Sequence, residues 1–138
     1  MSAGRSAPLL DTHAWIWWIE QDPRLGAKAI AALDSLPADG RPWLCDISLW
    51  EAATLVELGR LVLDVPLDEW LEAAAHPRSV QLLPLSPRIA VELVSLPATF
   101  HRDPADRIIV ASSRAQRIPV LTHDTRIRRS RLVTLWGS

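Results

Sequence analysis

Short apolar runs alternate with longer amphipathic segments along most of this chain. The apolar runs predict strands at residues 8–11, 42–45, 80–85, 118–122 and 132–136, with a shorter extended piece at 61–63. The segments between them predict helices at residues 13–20, 23–36, 48–58, 67–75, 87–96 and 104–116. Strands that alternate with helices favour a parallel sheet covered by helices on both faces. The pattern therefore predicts an α/β fold.

Helix-start signals support three of these boundaries. A capping residue stands directly before a proline in Asp22-Pro23, Ser86-Pro87 and Asp103-Pro104. Proline fits the first helical position, where its missing N–H is not needed. Gly59 in turn predicts the end of the helix at 48–58. We find no internal repeat, low-complexity tract or linker in the sequence.

Four acidic residues lie at the junctions between these elements, and they carry the clearest chemical signal. Asp11 and Asp124 each follow an apolar run, while Glu51 and Asp106 fall in the first turns of predicted helices. The carboxyl ends of parallel strands meet at one edge of a sheet, where open α/β folds bind ligands. A pair of carboxylates about 4 Å apart repels by roughly 1 kcal/mol in water and about 4 kcal/mol near a protein surface. The four acids together therefore predict a cation site.

Two of these acids also have a purely structural interpretation. Asp11 fits a helix N-cap, although Thr12 beside it could cap instead and free Asp11 to face the pocket. Glu51 completes the capping-box pattern that begins at Ser48, in which the glutamate bonds back to the backbone of the cap.

Asp103, Asp106 and Asp124 also have both a structural and a metal-binding interpretation. Asp103 fits an N-cap, and Asp106 then lies in the first turn, where the helix dipole favours an ionised carboxylate. Because Asp103 and Asp106 are three positions apart, both can face one site. Asp124 fits a turn residue after a strand, or a second metal-binding or water-orienting carboxylate. Ionised oxygen ligands are what Mg²⁺ or Mn²⁺ requires.

Composition narrows the class of protein. A chain of 138 residues suits one domain, over residues 1–138, with residues 1–7 as a short flexible tail. No apolar run approaches the roughly 20 residues of a membrane span, and the polar start of the chain argues against a secretory signal. Cys45 is the single cysteine, so no intrachain disulfide can form, and the cytoplasm is the expected compartment.

Charge is distributed unevenly, although the net charge is only −1. Residues 102–138 hold eight arginines against three aspartates. Such a stretch forms a solvated arginine-rich face or contacts a phosphate backbone, and the sequence leaves both open.

Aromatic and imidazole side chains are harder to interpret. Trp15 and Trp18 share one helical face and predict core packing, whereas Trp17 points elsewhere and suggests a surface that meets another subunit or a partner. Each of His13, His101 and His123 neighbours an acid, but none has ligand spacing to another, so we interpret them as surface or supporting groups. Zinc and P-loop signatures are absent.

Taken in order, these motifs resemble those of PIN-domain ribonucleases, and more closely the VapC-type toxins of bacterial toxin–antitoxin pairs. The resemblance rests on Leu9-Leu10-Asp11-Thr12-His13-Ala14, Ser48-Leu49-Trp50-Glu51, His101-Arg102-Asp103-Pro104-Ala105-Asp106-Arg107 and Leu121-Thr122-His123-Asp124. Each motif alone is weak, but four in this order across nearly the whole chain are specific.

The resemblance implies a central parallel five-stranded sheet flanked by helices, and a metal-dependent endoribonuclease. Asp11, Glu51, Asp106 and Asp124 would be catalytic. Asp11 and Asp106 would bind Mg²⁺ or Mn²⁺, with Asp124 and Asp103 as further candidates.

The resemblance also implies supporting residues and partners. Hydroxyls of Thr12, Ser48 and Thr122 would support the metal-binding carboxylates, and Arg107 and Arg102 would contact RNA phosphate. RNA would be the substrate, a cognate antitoxin would bind at the active-site groove, and the protein would form a homodimer in the cytoplasm.

Other classes of protein share parts of this pattern. A phosphoacceptor signalling domain also clusters aspartates around Mg²⁺, but it needs a lysine after the last strand of the sheet, and Lys28 lies in an early helix. A haloacid-dehalogenase-like phosphatase needs a D-x-D signature, whereas His13 stands two residues after Asp11. A non-catalytic PIN-like adaptor that binds RNA or protein stays open, and metal-dependent cleavage would distinguish it from an enzyme.

Overall fold

Four short parallel strands form the centre of the molecule, in a computed structural model that describes residues 7–137. They are β1 (Leu9–Leu10), β2 (Trp43–Cys45), β3 (Gln81–Leu83) and β4 (Val120–Leu121). Their order in the sheet is β3-β2-β1-β4, and Leu10 of the central strand β1 pairs with Leu44 on one side and Leu121 on the other. The first and last strands of the chain are thus neighbours, so residues near both ends of the sequence meet at one edge.

Seven α-helices surround this sheet within residues 7–137. They are α1 (Thr12–Ile19), α2 (Ala27–Asp34), α3 (Ile47–Glu57), α4 (Leu67–Ala74), α5 (Pro87–Val94), α6 (Pro104–Gln116) and α7 (Thr125–Ser130). The predicted α/β fold with a parallel sheet is confirmed. Six of the helices overlap predicted ones, and α7 is an element that the apolar pattern did not predict.

The prediction of a five-stranded sheet is wrong, because residues 132–136 contribute only one parallel bridge, from Leu135 to Val120. Arg131 ends α7 in the left-handed conformation and Gly137 turns the chain again at φ +79°. The backbone between these two turns meets β4 only around Val120, which donates to Thr134 O and accepts from Trp136 N.

Two other predicted elements differ from the structure. The expected helix at 23–36 is divided into a 3₁₀ turn (Pro23–Leu25) and α2, because Gly26 between them has φ +101°, which a continuing helix cannot accommodate. Residues 61–63 form no strand. The N–H groups of Arg60 and Leu61 both donate to Leu55 O, so the chain folds back over the end of α3 after Gly59 instead of joining the sheet.

Apolar side chains on both faces of the sheet hold it in place. Leu10 packs under α1 to α4 in a cluster that includes the fully buried Trp15, whereas Leu9 faces the opposite side with Ile109 of α6 and Val120. Trp15 donates its Nε1–H to Ala74 O at 2.9 Å, so its one polar atom is satisfied inside the core. The residue that follows these two leucines, Asp11, is therefore placed by packing on both faces of β1.

Other expectations concern the ends of the chain and its surface. Core packing of Trp15 and Trp18 is confirmed, and Trp17 is only partly buried. Of the tail predicted at residues 1–7, residues 1–6 lie outside the described part, and Ala7 packs against the core. Across residues 7–137, no helix combines the length and apolar character needed to span a bilayer.

Candidate functional site

An acidic cleft of about 440 Å³ opens at the carboxyl edge of β1 and β4, beside the first turns of α1, α3 and α6. Its walls contain all four acids that the sequence predicted to converge, together with Asp103. The lining residues are Asp11, Thr12, His13, Trp17, Glu51, Leu55, Arg60, Asp103, Asp106, His123, Asp124 and Arg126. The expected edge of the sheet is therefore where the carboxylates meet.

Asp11 combines a structural role with a place in the cleft. Its Oδ1 accepts a hydrogen bond of 2.8 Å from Ala14 N, which makes Asp11 rather than Thr12 the N-cap of α1. Its Oδ2 accepts a hydrogen bond from the hydroxyl of Thr122. Burial raises the pKa of the Asp11 carboxyl, and these two hydrogen bonds oppose the rise. The carboxylate is thus fixed in orientation while it faces the other acids.

Thr122 joins two of the acids. Its Oγ1 donates to Asp11 and accepts a hydrogen bond of 2.9 Å from Asp124 N. Asp124 in turn caps α7 by accepting from Arg126 N at 2.8 Å and Ile127 N at 3.1 Å. One hydroxyl thus orients the Asp11 carboxylate and holds the backbone at Asp124, 113 positions later in the sequence. The supporting role of Thr122 at a metal site stays a prediction.

Glu51 lies in α3, and the capping-box interpretation of it is wrong. The helix begins at Ile47 with Asp46 as its N-cap, two residues earlier than a Ser48 cap would require. Ser48 is fully buried, and its hydroxyl is engaged with the hydroxyl of Thr12 at 2.8 Å. Glu51 is therefore not committed to the backbone of the helix start, and its side chain reaches the cleft.

The Glu51 carboxyl carries an unsatisfied hydrogen-bond acceptor. Its buried Oε1 has no hydrogen-bond partner among the described residues, and burial raises the pKa of the group. Buried carboxylate oxygens are almost always paired with a donor or a cation. An unpaired acceptor among further acids indicates a position for a positive ligand.

Asp103 and Asp106 begin α6. Asp103 is its N-cap and accepts from Asp106 N at 3.0 Å, with Pro104 at the first helical position, as predicted. The pKa of Asp106 is raised to about 7, first by burial and then by the charges of Asp103, Asp124, Glu51 and Asp11. The cleft thus holds more negative charge than it can neutralise with its own groups near neutral pH.

His101, interpreted from the sequence as a surface or supporting group, lies directly beside Asp106. Its Nε2 lies 3.2 Å from Asp106 Oδ2 but makes no well-aligned hydrogen bond there. Burial, followed by the charge of Arg126, lowers the pKa of His101 and favours the neutral ring. One donor atom each from His101, Asp106 and Asp124 lie within 4.8 Å of one another, which is suitable for a metal ion. No spacing signal could have revealed this, since the contact depends on how the chain folds before α6.

The two arginines predicted to contact RNA phosphate do not line the cleft. Arg102 and Arg107 line a separate depression together with Val94, and Arg107 donates to the carbonyls of Phe100 and His101 at 3.1 and 3.2 Å. It therefore supports the segment that carries His101, and RNA contact by Arg102 and Arg107 stays a prediction.

Arg60 and Arg126 line the cleft instead. The Arg126 guanidinium lies 3.5 Å from Asp124 and 4.0 Å from Asp106, at the rim of the acid cluster. The arginine-rich stretch pointed to this part of the chain, but only the unpredicted helix α7 explains why Arg126 faces the acids. Arg60, at the end of α3, gave no sequence signal.

The donor set fits a divalent cation. It consists mainly of carboxylate oxygens with one neutral imidazole, which suits Mg²⁺ or Mn²⁺ better than a thiolate-binding metal. The raised pKa of Asp106 and the unpaired Oε1 of Glu51 both indicate uncompensated negative charge at this point.

Comparisons with known proteins show the family to which the chain belongs. Residues 9–131 match the family model described as PIN domain. The chain is 35% identical over 131 residues to Ribonuclease VapC22 of Mycobacterium tuberculosis, covering 93% of this chain and 97% of that protein.

Solved structures show the same fold at lower identity. A crystal structure of FitAcB from Neisseria gonorrhoeae has a TM-score of 0.66 at 21% identity, covering 94% of this chain and 96% of the other. A toxin–antitoxin complex from Klebsiella pneumoniae has a TM-score of 0.59 at 20% identity, covering 86% and 88%.

Proposed function

Since this chain belongs to the PIN-domain family, we propose that it is an endoribonuclease that hydrolyses RNA phosphodiester bonds with the help of a divalent metal ion. The observation that carries the proposal is the convergence of Asp11, Glu51, Asp106 and Asp124 on one cleft, where the pKa of Asp106 is raised to about 7. The 35% identity to a protein named as a ribonuclease supports RNA as the substrate.

The proposed metal ligands are those that the resemblance to PIN domains implies, and their position in one cleft supports them. Asp11 and Asp106 would hold Mg²⁺ or Mn²⁺, with Asp124, Asp103 and His101 as further candidates. When bound, such an ion stabilises negative charge on phosphate oxygens and makes a water molecule more acidic. The hydroxyl of Thr122 would keep the Asp11 carboxylate in its ligating orientation.

Other residues would orient the reacting groups. Glu51 has an unpaired oxygen in the cleft and a raised pKa, which suits a group that accepts a proton from the attacking water. Arg126 would hold the scissile or flanking phosphate once the acids are neutralised. Attack by water in line with the leaving oxygen gives a 5′-phosphate and a 3′-hydroxyl, and it does not need the ribose 2′-hydroxyl as a nucleophile.

The biological role that we propose is that of the toxin in a toxin–antitoxin pair. The VapC22 relative and the fold shared with the Neisseria and Klebsiella proteins support this role. A cognate antitoxin that covers the acidic cleft, a homodimeric assembly and a cytoplasmic location belong to the same proposal.

Cleavage of total RNA by the purified protein tests the activity. The protein would be assayed with Mg²⁺, with Mn²⁺ and with EDTA, beside the variants Asp11→Asn and Asp39→Asn. Asparagine caps helices as well as aspartate does, so Asp11→Asn should fold. Asp39 is exposed and outside the cleft, which makes Asp39→Asn the matched control.

We expect discrete RNA fragments that require both metal and Asp11 and that the control variant still produces. Wild-type cleavage by folded Asp11→Asn would contradict the assignment of this residue. Absence of cleavage with either metal, by folded protein free of bound partner, would favour a non-catalytic adaptor.

A further inference from the structure

Three aromatic rings stand in a row along one wall of the acidic cleft. The ring of Trp17 lies 5.9 Å from that of His13 and 5.8 Å from that of His123, measured between centroids. All three side chains line the cleft. Each histidine is close in sequence to a proposed metal ligand. His13 is two residues after Asp11, and His123 directly precedes Asp124. We call these three residues the aromatic wall.

The aromatic wall is held in place by the surrounding structure. The guanidinium of Arg24 lies 5.1 Å over the Trp17 ring and is itself fixed by Asp22, with the closest contact at 2.7 Å. His123 Nε2 is 2.9 Å from Leu25 O, which sets the orientation of that ring. A preorganised surface loses little conformational freedom when a ligand binds, so such rings are suited to recognition.

Trp17 packs against the core with part of its ring, but it is less buried than the other tryptophans near it. Trp15, Trp18 and Trp70 are almost fully buried. The indole N–H of each donates to an acceptor inside the fold, at 2.9 to 3.0 Å. Trp17 is only partly buried, and within residues 7–137 its indole N–H has no such acceptor. Part of the ring is therefore available to a ligand in the cleft.

We propose that the aromatic wall stacks an unpaired nucleobase next to the scissile phosphate, with Trp17 as its principal contact. This inference rests on the proposed ribonuclease function, since it concerns how the same cleft holds its substrate. Proteins that bind single-stranded nucleic acid place bases on aromatic rings and guanidinium planes beside a path for the phosphates. A base-paired nucleotide cannot offer its face in this way, so the wall selects unpaired RNA.

The wall also compensates for the charge of the cleft. Five carboxylates repel RNA phosphates until a cation is bound, and stacking attracts the base without depending on that charge. Arg24 adds a positive, largely exposed group over the Trp17 ring.

Binding without cleavage tests the proposal. The probes are a fluorescein-labelled ten-nucleotide oligoadenylate and a ten-unit abasic ribose-phosphate of equal charge. They are titrated in EDTA at about 0.15 M ionic strength, which screens their repulsion by the carboxylates, and followed by anisotropy. The proteins are wild type, Trp17→Leu, Trp17→Phe and Trp50→Leu. Trp50 is 56% exposed and outside the cleft, so Trp50→Leu is the matched control, and thermal melting checks that every variant folds.

We expect wild type to prefer oligoadenylate to the abasic probe, and Trp17→Leu to weaken oligoadenylate binding on the order of tenfold to a hundredfold. Abasic binding should not change in that variant, Trp17→Phe should keep most of the preference, and Trp50→Leu should resemble wild type. Equal binding of oligoadenylate by wild type and Trp17→Leu would overturn the proposal. The proposal would also be overturned if wild type bound the two probes equally well or bound neither. Metal-dependent cleavage of total RNA by the same preparation decides separately whether the ribonuclease function holds.

Discussion

Replacing Asp106 with Asn should make the metal-free protein more stable at pH 8, although it removes a residue that we propose to bind the metal. The pKa of Asp106 is raised to about 7 in the folded protein from an ordinary value of 3.8, by burial and by the neighbouring acids. Between these two values the folded chain retains a proton that the unfolded chain has released. The contribution of Asp106 to stability therefore falls as pH rises through this window, and the loss is complete above about pH 7.

The size of the effect follows from the difference between the two pKa values. At 1.36 kcal/mol per unit, roughly three units set an upper limit of about 4 kcal/mol at pH 8. The other acids titrate together with Asp106 and share part of this difference. Asparagine also forfeits the favourable interaction of a carboxylate with the start of α6, worth about 0.3 to 1 kcal/mol. We expect Asp106→Asn to be about 2 kcal/mol more stable than wild type at pH 8, and less than half of that at pH 5.

Urea unfolding in EDTA at the two pH values measures this difference, and thermal melting should show a rise of roughly 6 °C at pH 8 for a domain of this size. Asp39→Asn is the matched control and should show no gain that depends on pH, because Asp39 is exposed and outside the cleft. Mn²⁺ should stabilise wild type and not Asp106→Asn. The reasoning is refuted if folded Asp106→Asn is equal to or less stable than wild type at pH 8, with unchanged m-values.

Two other substitutions test a group that supports metal binding, the Thr122 hydroxyl, and a group that competes with the metal for the acids, the Arg126 guanidinium. Thr122→Val removes the hydroxyl that orients Asp11, so we expect a loss of roughly tenfold to a hundredfold in Mn²⁺ affinity by calorimetry; unchanged affinity would show that the hydroxyl plays no part in binding. Arg126→Ala removes a cation that competes for the acids, so Mn²⁺ should bind roughly two- to fivefold more tightly. The same variant should bind single-stranded RNA more weakly, with a salt dependence reduced by about one phosphate contact, and an unchanged salt slope would place the phosphate elsewhere.

Local signals predicted the fold well wherever short-range chemistry decides it. Ser86-Pro87 and Asp103-Pro104 predicted the starts of α5 and α6 to the residue, because a capping oxygen and a proline fix the first turn without help from distant parts of the chain. The prediction of a strand at 132–136 was wrong because distant parts of the chain decide the conformation there. Whether an apolar run joins a sheet depends on where the preceding element ends, and the unpredicted helix α7 leaves this segment only one bridge to β4.

The acids of the site were predictable because parallel strands bring their carboxyl ends to one edge, whatever the details of the loops. Asp11 and Asp124 needed only that rule. Ser48 and Glu51 matched a local motif that the structure does not use, since the Ser48 hydroxyl is bonded to Thr12, 36 positions earlier in the chain. His101 could not have been found from spacing, because its distance to Asp106 is set by a segment whose conformation has no sequence signature.

The pairing of β1 with β4 has a consequence for how the protein is made. During synthesis, Thr122 and Asp124 are added more than a hundred residues after Asp11, and β1 lies between β2 and β4 in the finished sheet. A nascent chain that lacks the segment from β4 onward therefore has neither the strand that completes the central pairing nor the hydroxyl that fixes the first carboxylate. If the protein cuts RNA as proposed, the growing chain stays inactive toward the message and ribosome that produce it until β4 and the start of α7 have been made.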